Sequence, residues 1–260
     1  MSRKLKFVFL GSGNVAWQMA LRLKQQKQSI TQIYSRRLIN AKRLAAKTQC
    51  KHTSSLKKID ATADVYIIAV SDDAIELIAE KVQMLDDGKK IFLHTSGSIP
   101  SSVFNKYFSK YGVIWPPQSI SKSVKIDFSK VPLCICAPSE SLRATKRVAR
   151  LLSNKVHLTN EDQKAALHLA CVFANNFSNH MIHLAKNICV QNGMDFKILH
   201  PIIEETFSKI KKVGPAAAQT GPASRKDELA MKKHLKLLSK QKEMKKVYKV
   251  VSESIGKDSK

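Results

Sequence analysis

Through the first 155 residues, short apolar runs alternate with stretches in which apolar positions recur every three or four residues. Leu5–Leu10 reads as a strand and Val15–Lys27 as the helix that follows it. Ile30–Tyr34 predicts a second strand and Leu38–Lys47 a second helix. The run "VYIIAV" (Val65–Val70) is apolar throughout, as a strand covered on both faces must be. A helix over Asp73–Val82 and a strand over Ile91–His94 come next. Val113–Trp115 and Leu133–Ala137 predict further strands, Ser141–Leu152 a helix, and the segment near Val156 a last short strand. This alternation predicts an α/β, doubly wound, mostly parallel sheet with crossover helices.

From Thr159 onward the period-two pattern is lost and the chain reads as helices. Thr159 is placed to cap a helix running from Glu161 to Gln191, with Asp162 in its first turn and Asn192-Gly193 as its stop. Phe196–Lys211 predicts a second helix with Pro201 near its start. "VGPAAAQTGPASRKDE" is a loop, and Glu228–Ser252 predicts a basic third helix. The chain thus divides into an α/β domain (1–155) and an all-helical domain (156–260).

The segment Gly11-Ser12-Gly13-Asn14-Val15-Ala16 falls between the first strand and first helix, where a Rossmann unit carries its pyrophosphate-binding turn. Gly11 permits the tight turn, and Gly13 lets backbone approach a pyrophosphate resting on the helix N-terminus. Ala16 is small enough for close packing of helix on strand. At the end of the second strand the chain reads Ser35-Arg36-Arg37 and has no carboxylate before Asp60. Arginine at this place suits a 2′-phosphate, so NADP(H) is the expected cofactor rather than NAD(H).

"HLACVFANNFSNHMIH" carries a polar stripe. At about 100° per residue, His168, Asn175, Asn176, Asn179 and His183 share one arc, with Lys164 beside it. Polar groups on an apolar helix require partners. They fit a wet cleft beside a nicotinamide, or a hydrogen-bonded helix or subunit interface. The stripe holds no carboxylate to join its histidines in a metal site, and no metal is expected. Ala69–Asp73, with Val70 and Ser71, and Leu93–Ser98, with His94 and Ser96, follow strand ends, where doubly wound sheets bind ligands. Gly112–Ser121 could border the same cleft, and Arg225 could hold a substrate carboxylate or phosphate.

Composition adds three constraints. The chain has 260 residues and a net charge of +25. Residues 1–59 carry 14 Lys and Arg and no acid, 60–208 carry 16 against 15, and 209–260 carry 15 against 5. Such basic ends can bind nucleic acid, but no nucleic-acid-binding motif accompanies them, and solvated basic faces are the favoured reading. No apolar run approaches the ~20 residues of a membrane span. The five cysteines show no metal or CxxC spacing, and a cytoplasmic, disulfide-free protein is expected.

Together "GSGNVA", "IIAVSDDAI", "LHTSGS", "HLACVFANNFSNH" and "TGPASRKDE" resemble a bacterial family of Rossmann-like proteins with a helical C-terminal domain of unassigned function, described as NADP-dependent oxidoreductases. That family resembles, more distantly, pyrroline-5-carboxylate reductase and 6-phosphogluconate dehydrogenase. The resemblance implies that Gly11, Gly13, Asn14, Val15, Ser35, Arg36, Val70 and Ser71 bind NADP(H). It implies that His94, Ser96, His168 and Asn176 face the reactive centre, and that the helical domain forms a homodimer. One departure stands out. The hydroxyacid dehydrogenase relatives place a catalytic Lys four residues before an Asn, where this chain has Val172 and Asn175. Lys164 or His168 could take that role. The expected activity is hydride transfer to or from a small carbonyl, imine or alcohol. The alternatives are a non-catalytic NADP(H)-binding sensor or scaffold and, third, a nucleic-acid-binding protein.

Overall fold

The computed structural model describes residues 4–258, in two compact units that divide between Asn176 and Phe177. The first unit is built on an eight-stranded sheet of order β3-β2-β1-β4-β5-β6-β7-β8. Its strands are β1 (Lys6–Leu10), β2 (Ser29–Tyr34), β3 (Lys51–Thr53), β4 (Val65–Ile68), β5 (Ile91–His94), β6 (Tyr111–Trp115), β7 (Leu133–Cys136) and β8 (Val156–Leu158). Every neighbouring pair is parallel except β6 and β7.

The apolar runs become central strands because both faces of the sheet are covered. Alternate residues of one strand enter different cores. Phe7 and Phe9 of β1 pack with Ile67 and Leu93 beneath α1 (Asn14–Gln25), α2 (Leu38–Thr48) and α4 (Ser139–Leu152). Val8 and Leu10 pack with Tyr66, Ile68 and Phe92 beneath α3 (Asp72–Val82) and Phe104.

Three local features up to α6 depart from the sequence reading. β3 carries one buried residue, Thr53, in three, too little alternation to register as a strand. The cap of α5 (Glu161–Cys171) is Asn160, not Thr159: its side chain accepts from the Gln163 amide, and Gln163 answers in a reciprocal capping box. Thr159 instead bonds the Ile135 carbonyl through its own amide at 3.0 Å. The helix read as unbroken from Glu161 to Gln191 contains a π-helical segment, Val172–Phe177, before α6 (Ser178–Gln191).

The second unit holds α6, α7 (His200–Val213), α8 (Pro215–Ala218), α9 (Glu228–Leu237) and α10 (Lys242–Asp258). The basic helix expected over Glu228–Ser252 is thus interrupted between Leu237 and Lys242. His234 Nδ1 and the Tyr248 hydroxyl, 2.9 Å apart, tie α9 to α10. Among the described apolar residues of this unit, Cys189 and Leu238 alone are buried.

Candidate active site

Strands β1, β2, β4 and β5 end on one edge of the sheet, and the loops leaving them line a cleft of about 710 Å³. That volume lies within the range of small-molecule and cofactor sites. Gly11, at φ +125°, forms the floor: a Cβ there would stand 2.1 Å from the Ala69 carbonyl oxygen. Only glycine fits both the backbone angle and the approach. Gly13 caps α1 in extended conformation, and a Cβ on it would meet nothing within 4 Å, so the cleft is open at this point. The first turn of α1 has neither a side-chain cap nor an acidic residue. Its unsatisfied amides and helix dipole therefore favour an anion.

At the end of β2, Ser35, Arg36 and Arg37 line the cleft beside Tyr34. Both arginines are exposed, and neither side chain has a hydrogen-bond or ion-pair partner among the described residues. Ser12, Asn14, Val15, Val70 and Ser71 complete the set expected from the sequence, all on the same cleft. Two polar residues were not foreseen, Asn40 in the first turn of α2 and Lys122. The Lys122 amide donates to Asn14 Oδ1 at 3.2 Å, and Gln18 Nε2 donates to the Ser121 and Val124 carbonyls. These bonds bring the end of the Pro116-Pro117 loop to the cleft, as the loop reading anticipated.

The wall after β5 is held from within. His94 is fully buried, its ring edge-on to Phe104 at 5.2 Å. Nε2 lies 3.3 Å from the Pro100 carbonyl and must carry the proton, while Nδ1 accepts from the Ser96 amide. Burial, then the Lys164 charge, pushes its pKa down to about 4, so the imidazole is neutral near pH 7. Ser96 lines the cleft, but its hydroxyl accepts from the amides of Ser98 and Ile99. Ser98 in turn donates to the Asp72 carboxylate.

Helix α5 is fastened to this wall. Lys164 is 1% exposed, and its Nζ donates to the Gly97 and Ile99 carbonyls at 3.1 and 2.6 Å. Glu161, 3.5 Å from that ammonium, accepts from the Ser101 amide and hydroxyl and from the Cys136 thiol. Burial raises the Glu161 pKa, but these donors and Lys164 outweigh it and hold the carboxyl below its usual range. Cys136 is pushed up to about 11 by burial and by Glu161, so it is a thiol rather than a nucleophilic thiolate. One turn beyond Lys164, the half-buried His168 packs on Trp115 with ring centroids 5.6 Å apart. A Cβ on Gly97 would come within 2.7 Å of the His168 ring, so this close packing requires glycine next to Ser96. The importance of Gly97 was not legible from its neighbours in sequence.

Asn175 and Asn176 lie in the π segment and are exposed. Each π turn takes up about one more residue than an α turn. Asn179 and His183 are exposed on α6, in the second unit. Arg225 is exposed in the second unit, before α9. Among the described residues no group of His, Cys, Asp and Glu is arranged to hold a metal, and no helix is long and apolar enough to cross a membrane.

Residues 6–93 match the family described as NADP oxidoreductase, coenzyme F420-dependent, and residues 131–255 match the domain of unknown function DUF2520. A solved structure from Bacteroides fragilis, described as a "putative NADP oxidoreductase", is 34% identical over 98% of both chains, with a TM-score of 0.91. The chain belongs to this NADP oxidoreductase family. A Thermotoga maritima protein is 23% identical, with TM-score 0.74 and coverage of 97% of this chain and 98% of that one. A pyrroline-5-carboxylate reductase from Coxiella burnetii is 12% identical, with TM-score 0.60 over 99% and 98% of the two chains. These last two likenesses concern the fold. No protein with a curated description matches the chain significantly. In this family member, the Rossmann sheet carries the cleft and the helical DUF2520 region begins within the sheet, at β7.

The His94 environment has a pH signature. Above pH 6.5 the ring is neutral folded or unfolded and adds no pH dependence. Between pH 6.5 and about 4 only the unfolded chain takes up the proton, so stability falls by about 3 kcal/mol from this group. Urea unfolding across that window should show a shallower acid loss for His94→Gln than for the unmodified protein. Parallel curves for the two would contradict the assignment.

Proposed function

We propose that this protein catalyses NADP(H)-dependent hydride transfer to or from a small carbonyl, imine or alcohol. The observation that carries the proposal is the uncapped start of α1 on the same cleft as two unpartnered arginines, Arg36 and Arg37. The pyrophosphate would rest on Gly11, Ser12, Gly13, Asn14 and Val15, with Val70 and Ser71 along the β4 side. Ser35, Arg36 and Arg37 would hold the 2′-phosphate, supported by Asn40. NADP(H), when bound, supplies or accepts the hydride.

The proton falls to His168. Lys164 commits two donors to backbone carbonyls and faces Glu161, which suits a positioning role. His94 has both ring nitrogens engaged and a depressed pKa, and Ser96 ties the turn behind it, so these two shape the wall on which substrate lies. His168 is half-buried at the rim of that wall, and Asn176, two turns on, offers an exposed amide to orient a carbonyl or hydroxyl oxygen. The π segment that carries Asn176 supports this reading, since such segments recur at functional sites.

The working form we propose is a homodimer joined through the helical unit, because that unit buries so few of its own apolar side chains. Phe177, Ile198 and Ile202 are 48%, 68% and 62% exposed. The five unpaired cysteines support a reducing, cytoplasmic setting.

Replacing Arg36 and Arg37 by Ala should weaken NADPH binding about tenfold or more while leaving NADH nearly unchanged; equal affinity of the unmodified protein for both cofactors would overturn the 2′-phosphate assignment. His168→Ala should fold and bind NADPH yet lose about 100-fold in turnover against a carbonyl and imine panel. Turnover preserved in that variant removes His168 from the chemistry, and no turnover by the unmodified protein favours the non-catalytic NADP(H) binder. Multi-angle light scattering at micromolar concentration should give twice the chain mass; a monomer there would exclude the obligate dimer.

A further inference from the structure

A second cleft, of about 920 Å³, opens on the opposite edge of the sheet, where β1, β4 and β5 begin. Helix α4 borders it with Arg143, Lys146, Arg147 and Arg150, spaced i, i+3, i+4 and i+7 so that all four share one face. The other face of α4 is the buried one, with Val148, Ala149 and Leu152 in the core. Lys89 and Lys110 add their charges from the segments leading into β5 and β6. Six cations thus converge from three parts of the chain.

Two carboxylates share the lining, Asp64 and Glu140. Asp64 accepts from the Lys6 amide at 2.9 Å, and Glu140 accepts from the Ser139 hydroxyl at 2.9 Å. The cleft keeps a clear positive excess, and its concave low-dielectric walls focus that field. Nothing in the proposed hydride transfer uses it.

We propose that this cleft is a second anion site, which takes a compact polyphosphate. Its concavity and the convergence of charge from separate elements suit a small multivalent anion. A single-stranded nucleic acid would instead favour an extended groove with aromatic side chains for base stacking. The lining of this cleft has none. Recognition therefore runs through phosphate oxygens, with the arginines supplying paired donors.

The test is isothermal titration of inorganic tripolyphosphate into the whole chain carrying Gly13→Asp, Arg36→Ala and Arg37→Ala, which places a carboxylate at the start of α1, where a Cβ meets nothing within 4 Å, and removes the side chains proposed for the 2′-phosphate. One equivalent should bind, with affinity falling steeply as salt rises. Adding Arg143→Glu and Arg150→Glu should weaken binding about tenfold or more at unchanged circular dichroism. If that chain fails to fold, Lys110→Ala with Lys146→Ala provides the milder form of the same test, with a smaller loss in the same direction. Absence of binding, or binding unaffected by either pair, overturns the proposal. So does a single-stranded RNA oligonucleotide that binds more tightly than tripolyphosphate and loses its affinity in the same variants, which would make the surface a nucleic-acid track. Neither arm uses NADPH, so the outcome is independent of the cofactor reading.

Discussion

The close approach of Gly11 to the Ala69 carbonyl is the constraint on which the cleft at the ends of β1, β2, β4 and β5 depends. β1 and β4 are neighbours in the sheet, and from β1 the chain turns outward to β2 and β3 before returning to β4 on the other side. Loops leaving the two strands therefore diverge, and a crevice opens between them. Backbone must pass close at the base of that crevice: the Gly11 amide donates to the Tyr34 carbonyl at 2.9 Å, and the Ala69 amide donates to Leu10 at 2.8 Å. A side chain on residue 11 would push β1 and β4 apart at this level. The start of α1 and the arginines after β2 would then lose their common cleft.

A second fastening joins the helical segment α5 to the sheet. A buried lysine is costly in isolation, because an ammonium removed from water must recover its hydration elsewhere. Lys164 recovers it from two carbonyls and a nearby carboxylate, while Glu161 fixes Ser101 beyond the same turn. The arrangement sets the direction of α5 against the β5 loop, and His168 follows one turn later over Gly97 and Trp115. The positive charge also helps keep His94 neutral. One ion pair thus links the shape of the wall, the protonation of the residue behind it and the placing of a second histidine at its rim.

Features that depend on local periodicity were legible in the sequence. Continuous apolar runs marked β1, β4 and β5, and the glycine turn and the arginines after β2 line one cleft. What could not be read was set by contacts distant in the chain. Gly97 matters because Trp115 and His168 approach it from other elements. Lys122 reaches the cleft because α1 holds its loop. His94 looked available at a strand end, yet the turn that follows it folds back to engage both its nitrogens. The π segment escaped because a fixed 100° step assumes the regularity that such a segment breaks. The Rossmann half of the reading rested on the sheet pattern, whereas the polar stripe rested on one helix drawn as ideal.

Charge bears on how two copies would meet. With a net charge of +25, like copies repel, and a contact through the most basic surface would be opposed. The helical unit is not uniformly basic. Residues 209–260 carry 15 Lys and Arg against 5 acids, but 177–208 carry 2 against 3. The nearly neutral stretch also bears Met181, Ile188, Val190, Met194, Ile198, Ile202 and Phe207, all exposed. Apolar burial contributes roughly 25 cal/mol per Å², while repulsion between exposed charges is screened beyond about 8 Å at physiological salt. A dimer built on α6 and α7, rather than on the lysine-rich α9 and α10, would gain the first term and keep the second small. A contact through α10 would do the reverse, so the division of charge within the helical unit favours α6 and α7 for the dimer we propose.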